Sequence, residues 1–261
     1  MAYNWVPLIT FQRKNKMKLN AIIAALMVTS LSCAATEPAL HWGYEGENNP
    51  ENWGHLSSEF STCETGKNQS PINIEHVFKT HHDKLKLTFK LSKQEIINNG
   101  HTIQVNVNDG NTLEIDNELF TLQQFHFHTP SENKIKGKYF PMEAHFVYKN
   151  KNGDLTVVAL MFNKGKPNPE LAKAWQQMPE DEGSTATLSQ SVNIKALLPN
   201  RLDFYRFSGS LTTPPCTEGV RWIVLEQESS ASAEQIEKFH SIMHHNNNRP
   251  TQPLNGRVIV D

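Results

Sequence analysis

The chain has 261 residues, of which 38% are hydrophobic and 20% charged, with a formal net charge of -2. That composition suits one large globular domain or two small ones. It offers no basic block for a nucleic-acid surface and no acidic tail that would stay disordered, so no nucleic-acid partner is expected.

The chain opens with a segment that does not read as part of the fold. From Met17 it runs MKLNAIIAALMVTSLSCAATEPA, a short basic start, an apolar run of about a dozen residues, then small residues around Cys33 to Ala35. This pattern predicts a secretory signal peptide, too short to span a membrane. Residues 1–35 are therefore assigned to an N-terminal extension and signal (core signal 17–35), and 36–261 to one domain. The expected location is periplasmic or secreted, with no transmembrane span. A lipid anchor at Cys33 is disfavoured, because Ser30 stands three residues before it in place of the usual Leu. Export leaves two cysteines, Cys63 and Cys216. In an oxidising compartment these pair, the alternative being two free buried thiols.

Further along, short alternating runs predict strands. HTIQVNVND places Ile103, Val105 and Val107 on one face, and TLEIDNELFTLQQFHFH holds two strand-like runs broken by polar residues. MEAHFVYKNKNGDLTVVALMF reads as a hairpin turning at Asn152-Gly153, and RWIVLEQ as another strand. Helices are few. Asn168 and Pro169 open one as N-cap and first helical residue, and Ser232 with Gln235 has the spacing of a capping box. The fold class is mainly β (α+β), a single domain without internal repeats.

Twelve histidines are present. His81, His82, His244 and His245 lie among Lys, Asp and Asn and read as solvated. QFHFHT is different. On a strand, Gln124, His126 and His128 share one face while Phe125 and Phe127 take the other. In MEAHFVY, Glu143, His145 and Val147 share a face. If the two strands are antiparallel neighbours, three imidazoles converge, a donor set that suits zinc and leaves a fourth position for water. A ligating His gives its other N–H to an acceptor, which fits Gln124 and Glu143. HFHTPSE also matches the His-x-His plus Glu metal motif of cupins, with Glu132 as a ligand.

Six segments in order resemble the α-class carbonic anhydrases, bacterial exported type: QSPINI (69–74), NNGHTIQV (98–105), QFHFHTPSEN (124–133), MEAHFVY (142–148), SGSLTTPPCTEGVRWIVL (208–225) and NNRPTQPLNGR (247–257). The likeness begins at HWGYEG (residue 41) and covers nearly the whole expected mature chain. It implies a central twisted, mostly antiparallel sheet of about ten strands with peripheral short helices. It implies one Zn2+ per chain, held by His126, His128 and His145, with Gln124, Glu143 and the Asn247 carbonyl as their supports. The implied reaction is reversible hydration of carbon dioxide to bicarbonate and a proton, by zinc-hydroxide attack with a histidine proton shuttle. A bound-water pKa of about 7 and a turnover near 10⁶ s⁻¹ are reference figures for carbonic anhydrase itself, carried over with the resemblance.

Under the same resemblance Thr212 is a gatekeeper oriented by Glu132. Val147, Val157, Leu211, Thr213, Val220 and Trp222 line the CO2 pocket. His101 is the proton shuttle, with Tyr44, Asn99 and Gln104 ordering waters on its path; Gln104 stands where the family usually has Asn. Cys63 and Cys216 align with the disulfide of bacterial and secreted members. Thr129-Pro130 replaces the Trp-Gly that often follows the second zinc His. The implied assembly is a monomer or homodimer. A non-catalytic binding protein on the same fold is the alternative, against which stand the three histidines, Thr212 and His101.

Overall fold

The computed structural model describes residues 41–81, 84–108 and 110–261. The segment expected to be a signal peptide, Cys33 and His82 lie outside the described residues. What is described falls within one unit, Pro38–Asp261.

A large mixed sheet runs through the molecule. Its main path has ten strands in the spatial order Thr185–Thr187, Gln94–Asn98, Ile103–Val107, Glu118–His128, Met142–Lys149, Leu155–Lys164, Glu218–Leu225, Phe204–Ser210, Ile259–Val260 and Val77–Phe78. Pairing along this path is antiparallel except for Leu155–Lys164 beside Glu218–Leu225 and Ile259–Val260 beside Val77–Phe78. The expected class and strand number hold. Among the described residues no helix is long and apolar enough to cross a membrane.

The strand Glu118–His128 does two jobs, divided by a β-bulge between Leu122 and Gln124. Phe120, Leu122, Phe125 and Phe127 are all buried in the same apolar cluster. Simple alternation would put Phe120 and Leu122 on the face opposite Phe125. The extra residue shifts the phase by one, so both halves fill one core while the second half presents its polar residues to the other face. The preceding hairpin turns through Asp116 (φ 53°) and Asn117 (φ 60°), two residue types that tolerate the left-handed region. The Asn152-Gly153 turn forms as expected: Asn150 Oδ1 accepts from the Asn152 and Asp154 amides at 2.9 Å each, and Gly153 takes φ 93°.

Behind the histidine strands, Phe125 stacks on Phe146 at 5.4 Å, and Phe127 meets Trp175 edge-on at 4.8 Å. Trp175 ends the helix Pro169–Trp175; Phe239 comes from the helix Ala233–Met243 and stacks on Trp175. Both predicted caps form. Asn168 accepts from Glu170 and Leu171, and Ser232 with Gln235 makes the reciprocal capping box. Gln235 Nε2 also donates to the Asn168 carbonyl at 2.8 Å, so one cap ties the other helix in place. Each buried aromatic contributes about 1.5–3 kcal/mol. That rigid backing fixes the strand pair carrying the site.

Candidate active site

His126 and His145 are direct cross-strand partners, and His128 pairs with Glu143. The ring centroids of His126 and His145 are 5.3 Å apart, and those of His128 and His145 are 4.5 Å apart. Each imidazole has one nitrogen engaged by an accepting oxygen. His126 Nδ1 donates to Gln124 Oε1 at 2.8 Å, His128 Nδ1 to the Asn247 carbonyl at 2.7 Å, and His145 Nε2 to Glu143 Oε1 at 2.9 Å. Those acceptors fix the tautomers, leaving a lone pair on His126 Nε2, His128 Nε2 and His145 Nδ1. One ligand atom from each of the three lies within 4.8 Å of the others.

Desolvation holds all three rings below the ordinary imidazole pKa, His126 and His145 well below, so they are neutral donors. His128 Nε2 and Glu132 Oε2 are buried and have no hydrogen-bond partner. They are 3.5 Å apart, and Glu132 Oε2 is 3.8 Å from His145 Nδ1. Burial pushes the Glu132 carboxyl up to about 8, against hydrogen bonding from Thr212 and from the Arg249 amide. An orphaned imidazole nitrogen with a buried acid beside it fits a cation. Three neutral imidazoles suit zinc in particular.

Glu143 is held on both oxygens. Oε1 accepts from Asn133 Nδ2 at 2.7 Å besides His145, and Oε2 accepts from the amides of Glu132 (2.7 Å) and Asn133 (2.9 Å). The loop after His128, including the cis Thr129-Pro130 bond, thus delivers Glu132 under the histidines. Glu132 Oε1 takes the Arg249 amide at 2.9 Å. Thr212 is buried on a loop closed by Leu211 N to Thr217 O and Cys216 N to Thr213 O, both 2.9 Å. Cys63 and Cys216 form the disulfide, with Cα atoms 5.0 Å apart. Arg249 binds that region together, donating to the Cys63 and Ser70 carbonyls and to Gln69 Oε1 at 2.7–2.8 Å.

Val147, Val157 and Trp222 lie in one cross-strand row, since Val157 pairs with Val147 on one side and Trp222 on the other. With Val220 and Leu211 they belong to one apolar cluster, and the Trp222 ring meets His145 at 4.9 Å. On the polar side a cleft of about 130 Å³ is lined by Tyr44, Asn99, His101, Gln104, Gln124, His126, His128 and Thr213, among others. Tyr44, Asn99, His101, Gln104 and Thr213 thus share one cleft with Gln124, His126 and His128. Asn99 differs in detail: its Oδ1 accepts from the His101 and Thr102 amides at 3.0 and 2.9 Å, so that oxygen holds the turn.

Several contributors were not visible in the sequence. Asn133 and Arg249 are buried polar residues whose partners are far away in the chain. Trp42 stacks on His101, with centroids 3.7 Å apart and planes at 10°. His245, expected to be solvated, is half-buried with its ring 5.8 Å from that of Tyr44. The αL residue His244 (φ 62°) ends the last helix and turns the chain to place it there.

A family model described as eukaryotic-type carbonic anhydrase matches residues 48–261. The chain is 60% identical over 244 residues to a carbonic anhydrase of Pectobacterium carotovorum, covering 94% of this chain and all of that one. It is 49% identical to a carbonic anhydrase of Klebsiella pneumoniae, over 94% of this chain and all of the relative. Among solved structures, the α-carbonic anhydrase of Thermovibrio ammonificans in complex with the inhibitor sulfanilamide aligns with TM-score 0.84 at 46% identity. That alignment covers 86% of this chain and 100% of the other. A zinc-type histidine centre on this sheet is the arrangement of a metal-dependent lyase. The chain belongs to the α-carbonic anhydrase family. The cupin reading falls with the fold: an open sheet with parallel pairs replaces the jelly roll, and the described metal-capable group is the three histidines without Glu132.

Proposed function

We propose that this chain interconverts CO2 and bicarbonate at a single zinc ion held by His126, His128 and His145, in the periplasm or outside the cell. The observation that supports it most is the set of three imidazoles with their outer nitrogens engaged by Gln124, Asn247 and Glu143 and their inner lone pairs converging. Bound zinc would supply a coordinated water of lowered pKa and a Lewis-acidic charge.

The chain's own groups do the rest. Thr212 donates to Glu132, so only its lone pairs remain to face the reacting water, which selects ligands with a proton to give. The row of Val147, Val157 and Trp222, with Leu211 and Val220, offers CO2 weak apolar contact and excludes water from that side. Thr213 borders the polar cleft. Tyr44 is held well above its ordinary pKa by burial and by the Glu132 charge, so its phenol stays protonated. It can order waters together with Asn99 and Gln104. The cleft of about 130 Å³ has room for several ordered waters. Such a chain reaches from the His126 and His128 rings to His101, whose imidazole then carries the proton outward. Zinc accounts for the orphaned His128 Nε2. Export accounts for the Cys63–Cys216 bond.

Stopped-flow CO2 hydration by the purified protein tests the reading. Fast hydration that is lost on chelation and restored by zinc is expected. One bound zinc with no hydration would point to a binding protein instead.

A further inference from the structure

Thr212 and Glu132 are held from behind by a closed ring of hydrogen bonds. Thr212 hydrogen-bonds the Glu132 carboxyl. Glu132 Oε1 accepts from the Arg249 amide at 2.9 Å. From the same residue, guanidinium Nη1 donates to Gln69 Oε1 at 2.8 Å. Gln69 Nε2 donates in turn to the Cys216 carbonyl at 3.0 Å. The Cys216 amide then meets the Thr213 carbonyl at 2.9 Å, next to Thr212. Segments far apart in the chain thus share one circuit around one hydroxyl and one acid.

Two side chains close that circuit, and both are buried: Gln69 is 3% exposed and Arg249 1%. Burying a guanidinium is costly. The other partners of Arg249 are neutral: the Cys63 and Ser70 carbonyls at 2.7 and 2.8 Å, and the Trp53 ring with its centroid 5.7 Å away. Its Nε is buried with no hydrogen-bond partner. Desolvation pushes Arg249 down to about 10, with Glu132 opposing, so it remains a cation at neutral pH. An apolar side chain of that size would serve packing as well. What the guanidinium adds is a planar fork that reaches two carbonyls and an amide oxygen at once. A second clasp runs beside it. Ser70 and Ser210 each accept the other's amide on their hydroxyls, at 3.2 and 2.9 Å, and an added Cβ on Gly209 would overlap Ser70 Oγ.

We propose that Gln69 and Arg249 are positioning residues for the Thr212–Glu132 pair: the ring they close holds hydroxyl and carboxyl at one separation and so sets the preference for ligands that bring a proton. This rests on the gatekeeper reading of Thr212. It also gives the disulfide a second path to the gate, because Arg249 holds the Cys63 carbonyl and Gln69 the Cys216 carbonyl.

The test is binding of two small anions to the zinc-loaded protein: hydrosulfide, which bears a proton, and thiocyanate, which has none. Zinc affinity, urea midpoints and CO2 hydration are measured alongside. The variants are Gln69→Leu, Arg249→Lys, their double, and Thr212→Val as reference. Arg249→Lys keeps the charge and the backbone amide but loses the fork. Each single is expected to lower the hydrosulfide-to-thiocyanate affinity ratio and kcat/KM several-fold, with zinc affinity unchanged. The double should be no worse than the worse single, because a ring is broken only once. Singles that keep the wild-type ratio, whatever their urea midpoints, while Thr212→Val loses it, would overturn the ring and leave the gate standing. Effects that multiply in the double would show two independent contacts and refute the ring as well. A wild-type ratio in Thr212→Val would remove the gatekeeper reading and the proposal with it. A loss of zinc affinity matching the loss of rate would show damage to the whole site and count against positioning. If Arg249→Lys does not fold, Gln69→Leu decides alone, since it leaves Arg249 its contacts with Cys63 and Ser70.

Discussion

Glu143 holds a histidine and a loop at once: one oxygen takes His145 Nε2 at 2.9 Å, and the other takes the Glu132 amide at 2.7 Å. The group that sets the tautomer of a metal-binding imidazole therefore also sets the height of the acid paired with Thr212. Replacing Glu143 by Ala frees both. Zinc affinity should fall by about 10–100-fold, the usual cost of losing such an outer partner. Competition against a chromogenic chelator measures this. An unchanged affinity would mean that the His145 tautomer is held by something else.

Asn247 is a strap. Its side chain takes the Thr129 amide on Oδ1 (2.8 Å) and donates to the Phe127 and His101 carbonyls (2.9 and 3.1 Å). Asn247→Ala retains the backbone carbonyl that meets His128 but leaves the Thr129 amide and the His101 carbonyl to find other partners, while the Phe127 carbonyl keeps Thr102 Oγ1. At about 1–3 kcal/mol for each buried group left unpaired, the loss should reach about 3 kcal/mol. A urea midpoint within error of the wild type would contradict this.

The Cys63–Cys216 bond closes a loop with a sequence separation of 153 residues. Chain entropy alone assigns such a crosslink about 5 kcal/mol. Denaturant unfolding with and without strong reductant should show a large drop in midpoint. Hydration rates should fall too, because Cys216 anchors the loop that bears Thr212. Equal midpoints and equal rates would separate the bond from both roles.

The Arg206 guanidinium is hydrogen-bonded to Asp116 and holds its carboxyl below the ordinary Asp value, with desolvation opposing and Arg221 helping. A depressed folded-state pKa stabilises above the unfolded value, near 4, and that contribution disappears as pH falls through the folded one. For a largely exposed pair about 0.5 kcal/mol is expected. Asp116→Asn suits the left-handed turn and removes the charge. Thermal melts should show the variant less stable at neutral pH and converging with the wild type in acid.

The sequence made the ligands, their supports and the helix caps legible because each rests on short-range periodicity: alternate residues share a strand face, and caps sit a fixed step from their amides. The resemblance supplied Thr212, Glu132 and the wall. What stayed hidden depends on pairings distant in the chain. Nothing in NNNRP shows that Arg249 will reach the Cys63 carbonyl. Nothing in FTLQQF shows which residue is the bulge, since apolar residues flank it on both sides. His245 looked solvated because its neighbours in sequence are polar, while Tyr44, its neighbour in space, comes from the other end of the domain.

The ligand row also divides the site's construction along the chain. Its three histidines come from adjacent strands joined by one loop, so a short closure brings them together. The Asn247 carbonyl lies 119 residues beyond His128, and the Thr212 loop belongs to the later part of the chain. The three candidate ligands are therefore close together in sequence, while one of their supports and the Thr212 loop are recruited from the far end of the domain.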